Sequence, residues 1–572
     1  MIRSHRLSFT LILGIILFSA FPNYTRAQEI TPPTKEEITA LRGKAIELLE
    51  SIAGQLNTLQ SVENRARMGS NIMGSLWDHD ETRARELLRL VQADLNTELQ
   101  KGERRHPNDT TFNVFLRLRQ DTVERIAKHD AEAALAFLKA TEPVFAGNPP
   151  YDFADNEQRL ELRLATQVAS NNPDVALKLA RQALDRGLSH DVLRLLARLN
   201  RKHKQQAQVL YKEIIERVRD IDFNNDWNSR YFAQNIIQSF LPPDVDEMNY
   251  RELVGVFVTK ALENGCANKD LEEDWKAGVC VWIATIVGLA EKYDPRIARF
   301  KHWNSAPARA EGQELQHYGV LYDFEGMVED GTLDELENLT TTNPDIRRSI
   351  YTRAIYRAVS TGNVEQAQKM IDRFITEPQL RQELTARVEG AKRRLTFNAD
   401  KLRDIQKKLE EIPEAQGRAH FLLGEAHQFA GSDRKATSKL LDQASELIET
   451  LKPGAEQTQS RIALAMLYCA VKNDRGFAIM ESIVPKLNEL VDIAIRLDGY
   501  DTNYLRDGEW NMSGDGTIGA LLTGLSHRAG YFAWSDFDRA VTLASRFERP
   551  EIRMMAHLKL AQSILEGPSQ RP

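Results

Sequence analysis

Three histidine–aspartate pairs have residue types suited to chemistry: His79-Asp80, His129-Asp130 and His190-Asp191. A metal-dependent phosphohydrolase of the HD kind needs such a pair, a further His and a distant Asp around one ion. Here each pair stands at or near the start of a helical pattern, where an Asp accepts the free N–H groups of the helix it caps. Capping accounts for all three, and pairs on three separate hairpins are expected to lie apart. Gly514-Asp515-Gly516-Thr517-Ile518-Gly519 has the spacing of a dinucleotide-binding loop. That loop works only after a strand and inside a βαβ unit. The preceding Arg506–Ser513 shows no strand pattern, so a loop opening a helix over Thr517–Leu525 is expected instead. Asp222-Phe223-Asn224-Asn225-Asp226 begins like a calcium loop, but Trp227 stands at the glycine position and Ala233 at the closing glutamate. An EF-hand is excluded.

Two loops combine aromatic rings with carboxylates. Phe223–Phe232 contains Asp226, Trp227, Arg230 and Tyr231; Leu497–Ser513 contains Asp498, Tyr500, Asp501, Tyr504, Asp507, Glu509 and Trp510. Rings stack on sugars, and carboxylates bond hydroxyls or cleave glycosides as acid and base. The plainer reading is a long loop between helices, pinned by its own aromatics. Trp227, Tyr231, Tyr500, Tyr504 and Trp510 are therefore the candidate binding residues. No catalytic residue, metal ligand or cofactor is assigned, and no H-E-x-x-H, G-x-S-x-G or Walker A sequence is present.

The elements that would carry these residues are helices. Apolar residues recur at three- and four-residue steps from Lys35 onward, as in Leu380, Leu384, Val388, Ala391 and Leu395. Short β-branched clusters such as Val254–Val258 sit inside longer helical patterns. Polar turns punctuate the helices at 77–80, 128–130, 171–174, 361–363, 431–433 and 472–474, each offering an Asp or Asn as a cap. A small alanine follows each turn, namely Ala84, Ala134, Ala176, Ala367, Ala436 and Ala478, where it lets two antiparallel helices approach. The stretch between Pro378 and Pro413 reads as one long helix or as a hairpin turning at Asn398-Ala399-Asp400.

One unit carries a family likeness. Leu423-Gly424 is followed by Ala436 twelve residues after the glycine, and then by Leu440. This resembles the tetratricopeptide-repeat (TPR) pattern of a Leu-Gly pair, a close-contact Ala and a large apolar residue. Ile355 to Ala367 and Met466 to Ala478 repeat the interval without the glycine. The resemblance implies an all-α fold, an irregular α-solenoid of antiparallel helical hairpins, used to bind rather than to catalyse. It carries no functional residue across.

The 572 residues are 42% hydrophobic and 27% charged, enough for a packed core of several domains' worth of chain. A formal net charge of −7 argues against a nucleic-acid partner, which wants a basic stripe. Residues 1–27 read as a secretory signal: Arg3 and Arg6, an uncharged run from Leu7 to Phe21, then Thr25-Arg26-Ala27 with small residues at the cleavage positions. A linker at 28–35, a helical array at 36–301, a hinge at 302–319, a second array at 320–566 and a tail at 567–572 complete the organisation. Cys266 and Cys280 could pair in an oxidising compartment; Cys469 is expected as a buried free thiol. The chain is read as a secreted or periplasmic scaffold for another protein or a peptide, without an integral membrane segment after cleavage. The alternative is a protein that binds or processes carbohydrate or cell-envelope polymer through Leu497–Ser513.

Overall fold

The computed structural model describes residues 34–101, 110–143, 153–222, 227–267, 280, 286–303, 323–337, 339, 344–361, 363–394, 399–430, 433–471, 474–500, 502–513 and 516–567. The first group of helices comprises α1 (Lys35–Gln55), α2 (Val62–Leu76), α3 (Glu81–Leu99), α4 (Thr110–Ala127), α5 (Ala131–Ala140) and α6 (Phe153–Val168). It continues with α7 (Pro173–Arg186), α8 (His190–Lys202), α9 (Lys204–Asp220), α10 (Trp227–Ser239), α11 (Glu247–Glu263) and α12 (Val287–Ala290). A middle group holds α13 (Phe324–Asp330), α14 (Leu333–Glu337), α15 (Pro344–Ser360), α16 (Val364–Phe374) and α17 (Pro378–Arg394). The last group begins with α18 (Ala399–Glu411), α19 (Ala415–Phe429), α20 (Arg434–Glu449), α21 (Ala455–Ala470) and α22 (Arg475–Arg496). Strands β1 (Leu505–Arg506) and β2 (Glu509–Trp510) follow, then α23 (Gly516–His527), α24 (Ala529–Ser535), α25 (Phe537–Ala544) and α26 (Pro550–Leu565). The all-α class and the helical-repeat construction hold. The Pro378–Pro413 stretch is two helices, α17 and α18.

The turns work largely as their composition dictates. The Asp80, Asp130, Asn363 and Asp433 side chains each accept an N–H from the third residue of the helix they start. Asn172 and Asp474 make no such bond. At the third histidine–aspartate pair Ser189 is the cap, accepting from Asp191 N–H, so the pair opens the helix but Asp191, in its first turn, does not cap it. Nor are all three pairs far apart. His129 Nδ1 stands 2.8 Å from Asp78, and Arg85 reaches Asp130 at 2.5 Å, so the first two turns are neighbours fastened by ion pairs.

Five of the six alanines chosen for close approach are buried: Ala84, Ala134, Ala176, Ala367 and Ala436. Ala478 is exposed. In that hairpin the close approach belongs to Gly476, where a Cβ would fall 2.4 Å from Ala465 O and 2.5 Å from Cys469 Sγ. Gly424, the glycine of the TPR-like unit, has open space around its missing Cβ. That unit buries Leu423, Ala436 and Leu440, while its glycine makes no close contact.

Pairing of successive helices stacks hairpins into two rows. α2, α4, α6 and α8 pack side by side in one row, and α5, α7, α9 and α11 in the other. Buried apolar positions at helical spacing face the space between the rows, as with Val192, Leu195, Leu196 and Leu199 of α8. Each buried Leu of this kind contributes about 1.5–3 kcal/mol relative to an exposed one. Between hairpins the fully buried Arg119 of α4 spans to Glu157 of α6 at 2.6 Å and donates to Leu138 O and Thr141 Oγ1. Those bonds satisfy a charge that would be costly alone. Cys266, just after α11, is joined to Cys280 by a disulfide with Cα atoms 5.2 Å apart.

The first and last described helices meet. α1 lies along α26, α2 also touches α26, and Lys44 reaches Asp538 at 2.5 Å. One continuous apolar core runs from Ala45 through Phe300 and resumes from Ile462 through Ile564. A second core occupies α18–α21, and a third belongs to the middle group α13–α17. The solenoid therefore closes its first helices onto its last. No helix among the described residues is long and apolar enough to cross a membrane.

Candidate functional site

The segment 505–510 is a hairpin rather than an irregular loop. Leu505 opposes Trp510 and Arg506 opposes Glu509 across a turn at Asp507-Gly508, whose φ values of 53° and 80° are both left-handed. Asp-Gly is the sequence that tolerates such a turn. That dipeptide, flanked by Leu505-Arg506 and Glu509-Trp510, is the signal by which the hairpin could have been found.

The hairpin is built into the closure. The Glu509 carboxylate accepts from the backbone N–H groups of Gln60 (2.6 Å) and Ser61 (3.0 Å) and from Asn64 Nδ2 (3.3 Å). It thereby meets unpaired donors around the start of α2, where a helix favours negative charge. Asn64 also donates to Trp510 O at 2.9 Å and accepts from Met512 N–H at 3.2 Å. Trp510 N–H donates to Glu551 of α26 at 3.2 Å, and Arg506 pairs with the buried Glu63. One six-residue hairpin thus bonds to the first hairpin of the array and to its last helix.

Among the described candidate binding residues, Tyr500, Tyr504 and Trp510 do not form one surface. Trp510 is 1% exposed and Tyr504 buried, their rings stacked at 5.5 Å, whereas Tyr500 is 89% exposed at a turn. Trp227 is the first and Tyr231 the fifth residue of α10, and their side chains lie outside the described residues. Glu509 and Trp510 do converge with residues of another hairpin, and both are buried there. Asp501, Gly514 and Asp515 lie outside the described residues.

A recess that sequence reasoning did not find opens on the first row of helices. It holds about 500 Å³ between Glu124 of α4, Leu162, Arg163, Thr166 and Gln167 of α6, and Asp191, Arg194 and Arg198 of α8. Arg163 and Arg194 are half exposed, in loose ion pairs with Glu124 at 3.6 Å and Asp191 at 3.4 Å. Below them Arg198 and Arg201 hold the buried Asp323 at 3.5 and 2.7 Å, and Lys202 holds Glu335 at 2.7 Å. The sequence signal is a four-and-three spacing of arginines, 194, 198 and 201, on one helix face.

Serine and histidine also meet, Ser545 Oγ lying 3.1 Å from His557 Nε2. The same nitrogen is 3.2 Å from the carbonyl of Val541, which can only accept. Nε2 therefore carries the proton and cannot act as base toward Ser545. Burial also pulls the His557 pKa down.

No family model matches the chain, and no curated protein matches it. A solved structure described as a circular tandem repeat protein with novel repeat topology and enhanced subunit contact surfaces is similar at 12% identity, covering 93% of this chain and 97% of that one with a TM-score of 0.14.

Proposed function

We propose that the protein is an exported helical-repeat scaffold that binds another protein through an extended segment laid along the first row of helices. The observation that carries this reading is the recess across α4, α6 and α8, where successive hairpins present charged side chains to solvent. Rows of helices present such side chains at regular steps, as an extended partner requires. Export is supported by the signal-like residues 1–27 and by the Cys266–Cys280 disulfide, a bond that persists in oxidising compartments. The polymer-binding alternative retains little: of the described aromatic rings in Leu497–Ser513, Tyr500 alone is exposed.

The test is a crosslinking pull-down of the tagged mature protein from its native exported fraction, read by mass spectrometry. One protein enriched at near-stoichiometric yield, with crosslinks on α4, α6 or α8, supports the reading. Retention of a polymer without any enriched protein overturns it.

A further inference from the structure

The arginines of α8 continue a pattern that the chain itself half fills. Arg194, Arg198 and Arg201 are four and three residues apart, so they lie along one face of the helix. The lower two grip the Asp323 carboxylate, which is only 6% exposed on its side chain. The adjoining middle group seats Gly326 so close that a Cβ there would fall 2.2 Å from both Arg198 Nη1 and Asp323 Oδ1. This row is therefore shaped to receive a carboxylate from an adjoining segment, and Asp323 shows the mode.

One turn higher the row changes character. Arg194 is 57% exposed, and Arg163 of the neighbouring α6 is 51% exposed. Both border the recess of about 500 Å³, each in an ion pair, to Glu124 or Asp191, and both face solvent far more than the largely buried Arg198 and Arg201. Glu124 and Asp191 hold the guanidinium groups near the recess, while Thr166 and Gln167 complete its lining, donating to Leu162 O and Glu124 O. Adjacent helix axes lie about 8–10 Å apart. Two carboxylates three residues apart in an extended polyproline-II segment lie on one face, because that helix has three residues per turn, and stand about 9 Å apart, which matches the step from α6 to α8.

From this geometry we infer that the recess takes an acidic extended segment of a protein partner, with one carboxylate on Arg163 and a second, three residues away, on Arg194. Arginine suits this role because its planar fork pairs with carboxylates through two parallel bonds. The inference rests on the scaffold reading above and supplies the chemistry of its partner.

The experiment uses the full mature chain and fluorescence anisotropy. The probe is a labelled twelve-residue peptide of Ser and Glu with Glu at every third position; the control carries Gln for Glu. Saturable binding of the Glu peptide is expected, with the Gln peptide at least tenfold weaker. R163A/R194A, both at exposed positions, should lose at least tenfold in affinity for the Glu peptide with helicity and melting temperature unchanged. R163K/R194K, which keeps the charge and loses the fork, should fall between. Equal binding of the two peptides, or undiminished binding to R163A/R194A, overturns the inference. So does displacement of the Glu peptide by a galacturonate oligomer at equal carboxylate concentration, because any polyanion would then serve. If the pull-down enriches a protein whose crosslinks avoid α6 and α8, this inference falls while the scaffold reading stands. If the pull-down enriches none, the scaffold reading itself falls.

Discussion

Trp510 shows how a side chain's type and its role separate. An exposed tryptophan in an acidic loop suits a sugar, but the same ring sealed beneath Tyr504 is core. Trp510→Ala removes the largest fully buried side chain among the described residues and leaves a void where the hairpin packs near α2 and α26. A loss of about 3–5 kcal/mol is expected. Guanidinium unfolding followed by circular dichroism checks it, and a midpoint equal to wild type would show that the hairpin bears no packing load. Cys469 is the second residue whose chemistry its surroundings decide. Burial, ahead of the nearby charges, pushes its thiol up to about 12. Thiolate, the reactive form, is then scarce near neutral pH. A disulfide-exchange reagent at pH 8 should therefore label no thiol in the folded protein and one in denaturant. Rapid labelling of the native chain would contradict the burial.

At the scale of the element, hairpin geometry turns on single small residues. α21 and α22 touch at Gly476, and Ala478 two positions on faces water. Gly476→Val forces a branched side chain onto the Ala465 carbonyl and the Cys469 sulfur, so overpacking of about 1–3 kcal/mol or more is expected. Ala478→Val at the exposed site should shift stability by about 0.5 kcal/mol at most. Melting temperatures of the two variants decide between them. The reverse order would return the close-contact role to the alanine that the twelve-residue interval suggests. Hairpins, caps and turn positions were legible because each depends on residues a few positions apart. Asp80, Asp130, Asn363 and Asp433 cap their helices as their types dictate. The β-hairpin was legible only at Asp507-Gly508, since strands of two residues are too short to show alternation.

At the scale of the whole molecule, the described residues form three apolar cores. The first joins the beginning and end of the chain, while the middle group α13–α17 has a core of its own. That group meets α8 through Asp323 and Glu335 on Arg198, Arg201 and Lys202. Removing the carboxylates leaves clustered, partly buried arginines without these partners, a costly arrangement that favours separation. D323A/E335A should therefore enlarge the radius of gyration measured by small-angle scattering while helicity stays constant. An unchanged radius in the variant would mean that other contacts hold the middle group in place.

The helical class, most hairpin turns, their caps and the buried alanines follow from the sequence alone, because periodicity and capping are local properties of the chain. The tertiary structure decided that Glu509 bonds to Gln60 across 449 residues, that α26 covers α1, and that Arg163 and Arg194 border one recess. Those outcomes depend on how small rotations between successive hairpins accumulate, and no short window of sequence contains that sum.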